Sequence, residues 1–154
     1  MAKVQKALAP YQDLGPLCLR VVLGVIFFAH GSQKLLGWFD GSGLQETTRA
    51  FWQMGFWPPM FWAFVAALTE FAGGLALLAG WRTREAALLL GAVMLVAMLK
   101  VHLPNGFFMN FSLVPGVGHG IEYNLALLGG CLALLFGGPG RYAWDAQPPR
   151  RKRR

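Results

Sequence analysis

LGPLCLRVVLGVIFFAHGSQKLLG (14–37) decides the fold. It is almost wholly apolar, carries Arg20, His30 and Lys34 as its strongly polar residues, and is long enough to cross a hydrocarbon core of about 30 Å at about 1.5 Å per residue. Three more apolar runs follow at about 58–80, 85–104 and 120–138. Of the 154 residues 55% are hydrophobic and only 14% charged, against about 25% charged in an average soluble domain. A secretory signal peptide has a shorter apolar core with soluble sequence behind it, so the first run reads as a retained transmembrane helix. The expected fold is an all-α four-transmembrane-helix bundle. Residues 1–154 form a single membrane domain with outer loops at 38–57 and 105–119 and a basic tail at 139–154.

Charge sets the expected orientation. Lys3, Lys6, Arg82, Arg84, Arg141, Arg150, Arg151, Lys152, Arg153 and Arg154 lie on one side of the spans, and only Arg49 lies in the opposite loops. The positive-inside rule therefore puts both termini in the cytoplasm. The net charge of +7 is assigned to topology and tail, and no nucleic-acid partner is expected. The closing basic run either touches anionic lipid heads or is solvated.

Aromatic residues mark the two interfaces. Trp38, Trp52, Trp57 and Trp62 cluster at the outer end, and Tyr11, Trp81, Tyr142 and Trp144 at the inner end. In the first outer loop Phe51, Trp52, Gly55 and Phe56 share a helical face, which predicts a short interfacial helix. Pro58 and Pro59 suit a helix start. Ala72, Ala76 and Gly80, and likewise Gly129, Ala133 and Gly137, form small-residue stripes that allow close helix approach. The strings GGLALLAG (73–80) and GGCLALLFG (129–137) hint at a duplicated hairpin. Cys18 and Cys131 form no Cys-x-x-Cys motif and read as small buried hydrophobes.

Counting depth from the cytoplasmic span ends groups His30, Lys100, His102, Glu122 and Asn124 in the outer half, with Lys34 beyond them and with Arg20 and Glu70 deeper. In span one Arg20, Gly24, His30, Gly31 and Lys34 share a face; in span four Glu122 shares one with Ala126, Gly129 and Ala133. Lys100 and His102 project to opposite sides of an ideal helix, and Pro104 frees His102 to turn inward. Charges inside a bilayer cost about 2.5 to 3.5 kcal/mol each on insertion scales, so pairing is expected: Lys34 with Glu122, and Arg20 with Glu70 as a structural ion pair. Two readings stand for His30 and Lys34: a snorkelling lysine beside a helix-bridging histidine, or members of a functional site. Glu70 reads equally as an ion-pair partner and as a proton-handling group. Lys100, His102, Asn105, Glu122, Tyr123 and Asn124, with the rings of Phe107 and Phe108, would build a pocket suited to a planar polar head with an apolar tail.

Residues 14–145 resemble the DoxX family of small four-helix membrane proteins. The likeness runs through Arg20, Leu23-Gly24, His30-Gly31, Lys34-Leu35, Gly37-Trp38-Phe39, Glu70 with Gly73-Gly74, His102, Asn105-Gly106-Phe107-Phe108, Glu122-Tyr123-Asn124 and GGPGRYAWD (137–145). Ala143 stands where members often carry serine. The resemblance implies a multi-pass protein of a bacterial inner membrane and a link to quinone-coupled oxidation. Under that reading His30, Lys34, Glu70 and Glu122 act on the substrate, His30 and His102 holding ring oxygens, Lys34 and Lys100 stabilising negative charge, and Glu122 and Glu70 exchanging protons. Lys100, His102, Asn105, Tyr123 and Asn124 line the quinone site. No metal, flavin or nucleotide motif is present in the sequence, so a partner redox protein would bring electrons. The competing readings are a non-catalytic adaptor or assembly factor for redox proteins, whose buried charges fix helix register, and a small-molecule transporter acting as a homo-oligomer.

Overall fold

The computed structural model of the chain describes residues 2–146; the basic run at 150–154 lies outside the described residues. The described chain is helical, in the order α1 (Ala2–Leu8), α2 (Leu14–Leu36), α3 (Gly43–Gln53), α4 (Pro59–Ala79), α5 (Thr83–Ala97) and α6 (Glu122–Gly137). After Ala97 the helix widens into a π turn, Met98–His102, and tightens into a 3-10 turn, Leu103–Asn105. Three helical stretches are long and apolar enough to span a bilayer: Leu14–Leu36, Pro59–Ala79 and Thr83–Asn105. α6 is apolar but shorter, about 24 Å for its 16 residues.

Helix ends fall where local chemistry puts them. Gly37 and Gly80 close α2 and α4 with φ of +73° and +68°, a left-handed conformation that glycine adopts without Cβ strain. Pro59 opens α4, where a missing N–H costs nothing. The short helix expected after span one is α3, but it ends at Gln53, so Gly55, at φ +80°, and Phe56 lie beyond it and not on its face.

Each long helix buries one stripe at helical spacing. In α2 this stripe is Arg20, Leu23, Gly24, Phe27 and Gly31; in α4, Ala63, Ala67, Glu70, Gly74 and Leu77; in α6, Asn124, Leu127, Cys131 and Leu134. The opposite faces carry exposed Val21, Val22 and Val25, Leu88 and Leu89, and Leu125, Leu132 and Phe136. Polar groups inside and hydrocarbon outside is the arrangement a lipid solvent selects.

The tightest seam joins α2 to α4. A Cβ on Gly31 would fall 2.6 Å from Phe71 Cα, one on Gly74 2.8 Å from Phe28 Cα, and one on Gly24 3.0 Å from the Gly74 carbonyl oxygen. This seam corrects the expected stripes. Ala72 is exposed, and Gly129 and Gly137 have no other chain segment within 4 Å of a Cβ. α6 packs instead through Cys131 and Leu128 against Gly91 of α5, and through Gly130 against Leu19 and Leu23 of α2. Cys18, expected to be buried, is exposed on α2; Cys131 is buried.

The end of the bundle holding the start of α2 is called proximal here, and the end holding α3 distal. Arg82, Arg84 and Arg141 lie at the proximal end with exposed Trp81, Tyr142 and Trp144; Arg49 lies on α3 at the distal end. At the proximal end residues 138–146 fold back beneath α4. The Asp145 N–H donates to the Gly80 carbonyl at 3.1 Å, and the Asp145 carboxylate receives the Thr83 N–H at 3.1 Å, capping α5.

Candidate functional site

A cavity of about 470 Å³ opens in the distal half between α2, α4, α5 and α6, within the size range of small-molecule sites. α2 contributes Phe27, His30 and Lys34 to its wall, α4 contributes Glu70, and α5 with its π turn contributes Met94, Ala97 and His102. The distal loop adds Met109, His119 and Gly120, and α6 adds Tyr123, Asn124 and Leu127.

The strongest contact in this wall is between Lys34 and Glu70. Nζ lies 2.5 Å from both carboxylate oxygens, with the Glu70 side chain 2% exposed and that of Lys34 35% exposed. Gly31 explains the pairing. Because it lies against Phe71, Lys34 emerges one turn beyond Glu70, and each Cβ leans toward the N-terminus of its own helix. α2 and α4 run antiparallel, so the two side chains lean toward each other.

Both expected ion pairs are therefore corrected. Glu70 pairs with Lys34, not Arg20, and Lys34 does not reach Glu122. Arg20 is buried at the proximal end, where Nη2 donates to the Tyr142 carbonyl at 2.6 Å, while Nε and Nη1 have no hydrogen-bond partner. The depth count failed because it set the span ends in one plane, whereas α2 begins well below the end of α4, beside the returning 138–146 segment.

Of the sequence-predicted site residues, the structure gathers His30, Lys34, Glu70, His102, Tyr123 and Asn124 around the cavity. Lys100 is exposed on the π turn. Glu122 is half-buried and has no side-chain hydrogen bond or ion pair among the described residues; its N–H donates to the Phe107 carbonyl at 2.9 Å. Asn105 braces the loop, donating to Val101 O at 3.0 Å and His119 O at 3.3 Å. Neither Lys100, Asn105 nor Glu122 lines the cavity.

The sequence reading missed His119, whose Nδ1 accepts the Asn110 N–H at 3.2 Å and whose carbonyl meets His102 Nδ1 at 2.9 Å. Asn124 is buried, with Met94 Sδ at 3.8 Å as its side-chain partner. A thioether is a weak acceptor, so most of this amide's hydrogen-bonding capacity is unspent. Among the described residues no cluster of three or more His, Cys, Asp or Glu is placed to hold a metal ion. Chemically, the cavity offers a cation held by a buried carboxylate, imidazoles and an amide, on walls that are otherwise apolar.

Comparison with known proteins gives a consistent picture. The family model described as DoxX matches residues 15–103. The inner membrane protein YqjF of Escherichia coli (strain K12) is 35% identical over 136 residues, covering 87% of this chain and 92% of that protein. CatD of Bacillus subtilis (strain 168), named as a proposed oxidoreductase, is 34% identical over 98 residues, 64% of this chain and 67% of its own. An uncharacterized membrane protein of Mycobacterium tuberculosis (strain ATCC 25618 / H37Rv) is 30% identical over 145 residues, 88% of this chain and 82% of its own. No solved structure matches.

Proposed function

The chain belongs to the DoxX family, and from that premise we propose that it is a membrane subunit of a quinone-linked oxidoreductase system. Its distal cavity takes the polar head of a quinone or similar amphiphile, while a partner redox protein supplies electrons. The carrying observation is the cavity itself, where His30, Lys34, His102 and Asn124 converge inside helices that are otherwise apolar. The name of the Bacillus subtilis relative supports the oxidoreductase part of this reading.

A bound quinone would supply two-electron, two-proton chemistry; the chain's own residues bind, orient and protonate. Lys34 is an ammonium with three donors. Glu70 holds it by two oxygens, fixes its position and leaves donor capacity toward the cavity. That preorganised charge favours negative charge developing on a ligand oxygen. The Asn124 amide and the imidazole of His30 offer hydrogen bonds to the same head, and Phe27 and Leu127 exclude water from it. The tail leaves toward lipid between α2 and α6, where His30 and Tyr123 are exposed.

In this reading α6 is the fourth span, its exposed Leu125, Leu132 and Phe136 facing lipid. The basic proximal end lies in the cytoplasm by the positive-inside rule, and the cavity lies in the outer half of a bacterial inner membrane. α3 then rests at the outer interface.

The test is equilibrium binding of a short-chain ubiquinone to the purified chain in lipid nanodiscs. His30→Ala and Asn124→Leu should each weaken binding about tenfold, the worth of one or two hydrogen bonds. Glu122→Gln, off the cavity, should leave it unchanged. No binding by the unmutated chain removes the reading.

The ion pair favours a second reading, a register-fixing adaptor. Lys34–Glu70 bridges the α2–α4 seam, so its loss would lower both stability and recovery of a partner protein. Ligand binding by the unmutated chain separates the two.

A further inference from the structure

His102 and His119 both line the distal cavity, and both spend Nδ1 on the loop above it. A carbonyl oxygen only accepts, so His102 Nδ1, 2.9 Å from the His119 carbonyl oxygen, carries a hydrogen and donates it. A backbone amide only donates, so His119 Nδ1, 3.2 Å from the Asn110 nitrogen, carries none and accepts. In the neutral ring the second nitrogen takes the complementary role. His102 Nε2 is then an acceptor with a free lone pair, and His119 Nε2 is a donor.

The surrounding loop holds this arrangement in place. The His119 carbonyl also receives Asn105 Nδ2 at 3.3 Å, and the π turn carries His102 inward. Asn110 is fixed in turn, donating through Nδ2 to Val114 O and Val117 O at 3.0 and 2.9 Å.

We propose that His119 is a ligand-contacting residue of the distal cavity, and that with His102 it forms a donor–acceptor pair selecting a hydroxyl-bearing head, the hydroquinone over the quinone. This deepens the amphiphile-binding reading above and rests on it. A quinone oxygen only accepts, so it satisfies His119 Nε2–H and leaves the His102 lone pair unmet. Each hydroquinone oxygen both donates and accepts, so the reduced head satisfies both rings. His102 is half-buried and His119 exposed in the free chain, so the penalty arises when the bound head covers them: an acceptor then left unpaired lowers affinity by about tenfold. Release of the oxidised head and retention of the reduced one would follow from hydrogen-bond matching alone.

The experiment is anaerobic binding of a short-chain ubiquinol and its oxidised form to the chain in nanodiscs. The unmutated chain should prefer the reduced form about tenfold. His102→Ala should bring the two affinities together mainly by weakening the reduced form, and His119→Ala should weaken both forms alike. Equal affinities in the unmutated chain, or a preference that survives His102→Ala, overturns the inference while the amphiphile reading stands. Binding of neither form overturns that reading and this inference with it.

A second measurement needs no functional variant. The chain has three histidines, so 15N NMR of histidine-labelled protein reads their tautomers directly, with single His→Gln variants used for assignment. One Nδ1–H ring at His102 and one Nε2–H ring at His119 are expected. The same tautomer at both overturns the proposal.

Discussion

Two glycine-to-alanine substitutions should have opposite effects, because one glycine lies in the α2–α4 seam and the other faces open space. At Gly31 the added methyl would fall 2.6 Å from Phe71 Cα and 2.8 Å from the Glu70 carbonyl carbon. The Phe71 backbone nitrogen lies nearer still and ordinary contact begins at 3.4 Å, so α2 and α4 must separate by more than about 1 Å at their tightest point. Neither neighbour is a side chain that can rotate away. Overpacking of this kind costs about 1–3 kcal/mol, which for a chain of this length lowers Tm by about 2–12 °C. At Gly129 a methyl meets no other chain segment within 4 Å, and alanine in a helix interior gains roughly 0.5–1 kcal/mol over glycine. Gly129→Ala should leave Tm unchanged or raise it by about 1–4 °C. The assay is thermal unfolding in detergent with a thiol-reactive fluorogenic maleimide, reading buried Cys131 in a Cys18→Ala background. An unchanged Tm for Gly31→Ala, or equal losses for both variants, would refute the seam described here.

Three further outcomes are expected. Lys34→Met leaves the Glu70 carboxylate, 2% exposed, without a counter-ion; it should cost about 3–5 kcal/mol, and adding Glu70→Gln should restore part of that in the same thermal assay. Asp145→Ala removes the acceptor of the Thr83 N–H and should cost about 1 kcal/mol, with faster hydrogen exchange over the first turn of α5 as the readout. Cys18, exposed on α2, should alkylate in the folded, detergent-solubilised protein while Cys131 reacts only after denaturation; mass spectrometry of the labelled chain decides it.

Where hydrophobic period and turn chemistry speak for single helices, sequence and structure agree closely. The Arg20, Gly24 and Gly31 face of α2, the helix ends at Gly37 and Gly80, and the start of α4 at Pro59 all follow from local rules, whereas α4 buries Ala63, Ala67, Glu70, Gly74 and Leu77 and not the stripe read from Ala72. Relations between helices were less legible. Depth counting treated the first residues of α2 and the last of α4 as level, but Gly31 against Phe71 offsets them by about 12 Å. That offset alone moves Glu70 from Arg20 to Lys34. The small-residue stripe of α6 was misread for a related reason, since spacing shows that a backbone could approach there and not whether one does.

The site was legible residue by residue rather than as a set. His30, Lys34, His102 and Asn124 stood out as polar groups in apolar runs, and they converge. Lys100 and Glu122 stood out in the same way and point elsewhere. His119 gave no signal, because it lies between Gly118 and Gly120 in a loop without period. Its place in the cavity wall comes from the fold of that loop, where Gly120 lies against the Gly106 carbonyl.

The Asp145 cap on Thr83 joins residues 62 positions apart. During biosynthesis α5 must leave the ribosome with its leading amide unclaimed, and only the last stretch of the described chain can satisfy it. The α2–α4 hairpin can close early, but α5 is finished from behind. A reporter fused directly after residue 144 would intercept that step, whereas one attached beyond residue 146 would leave it intact.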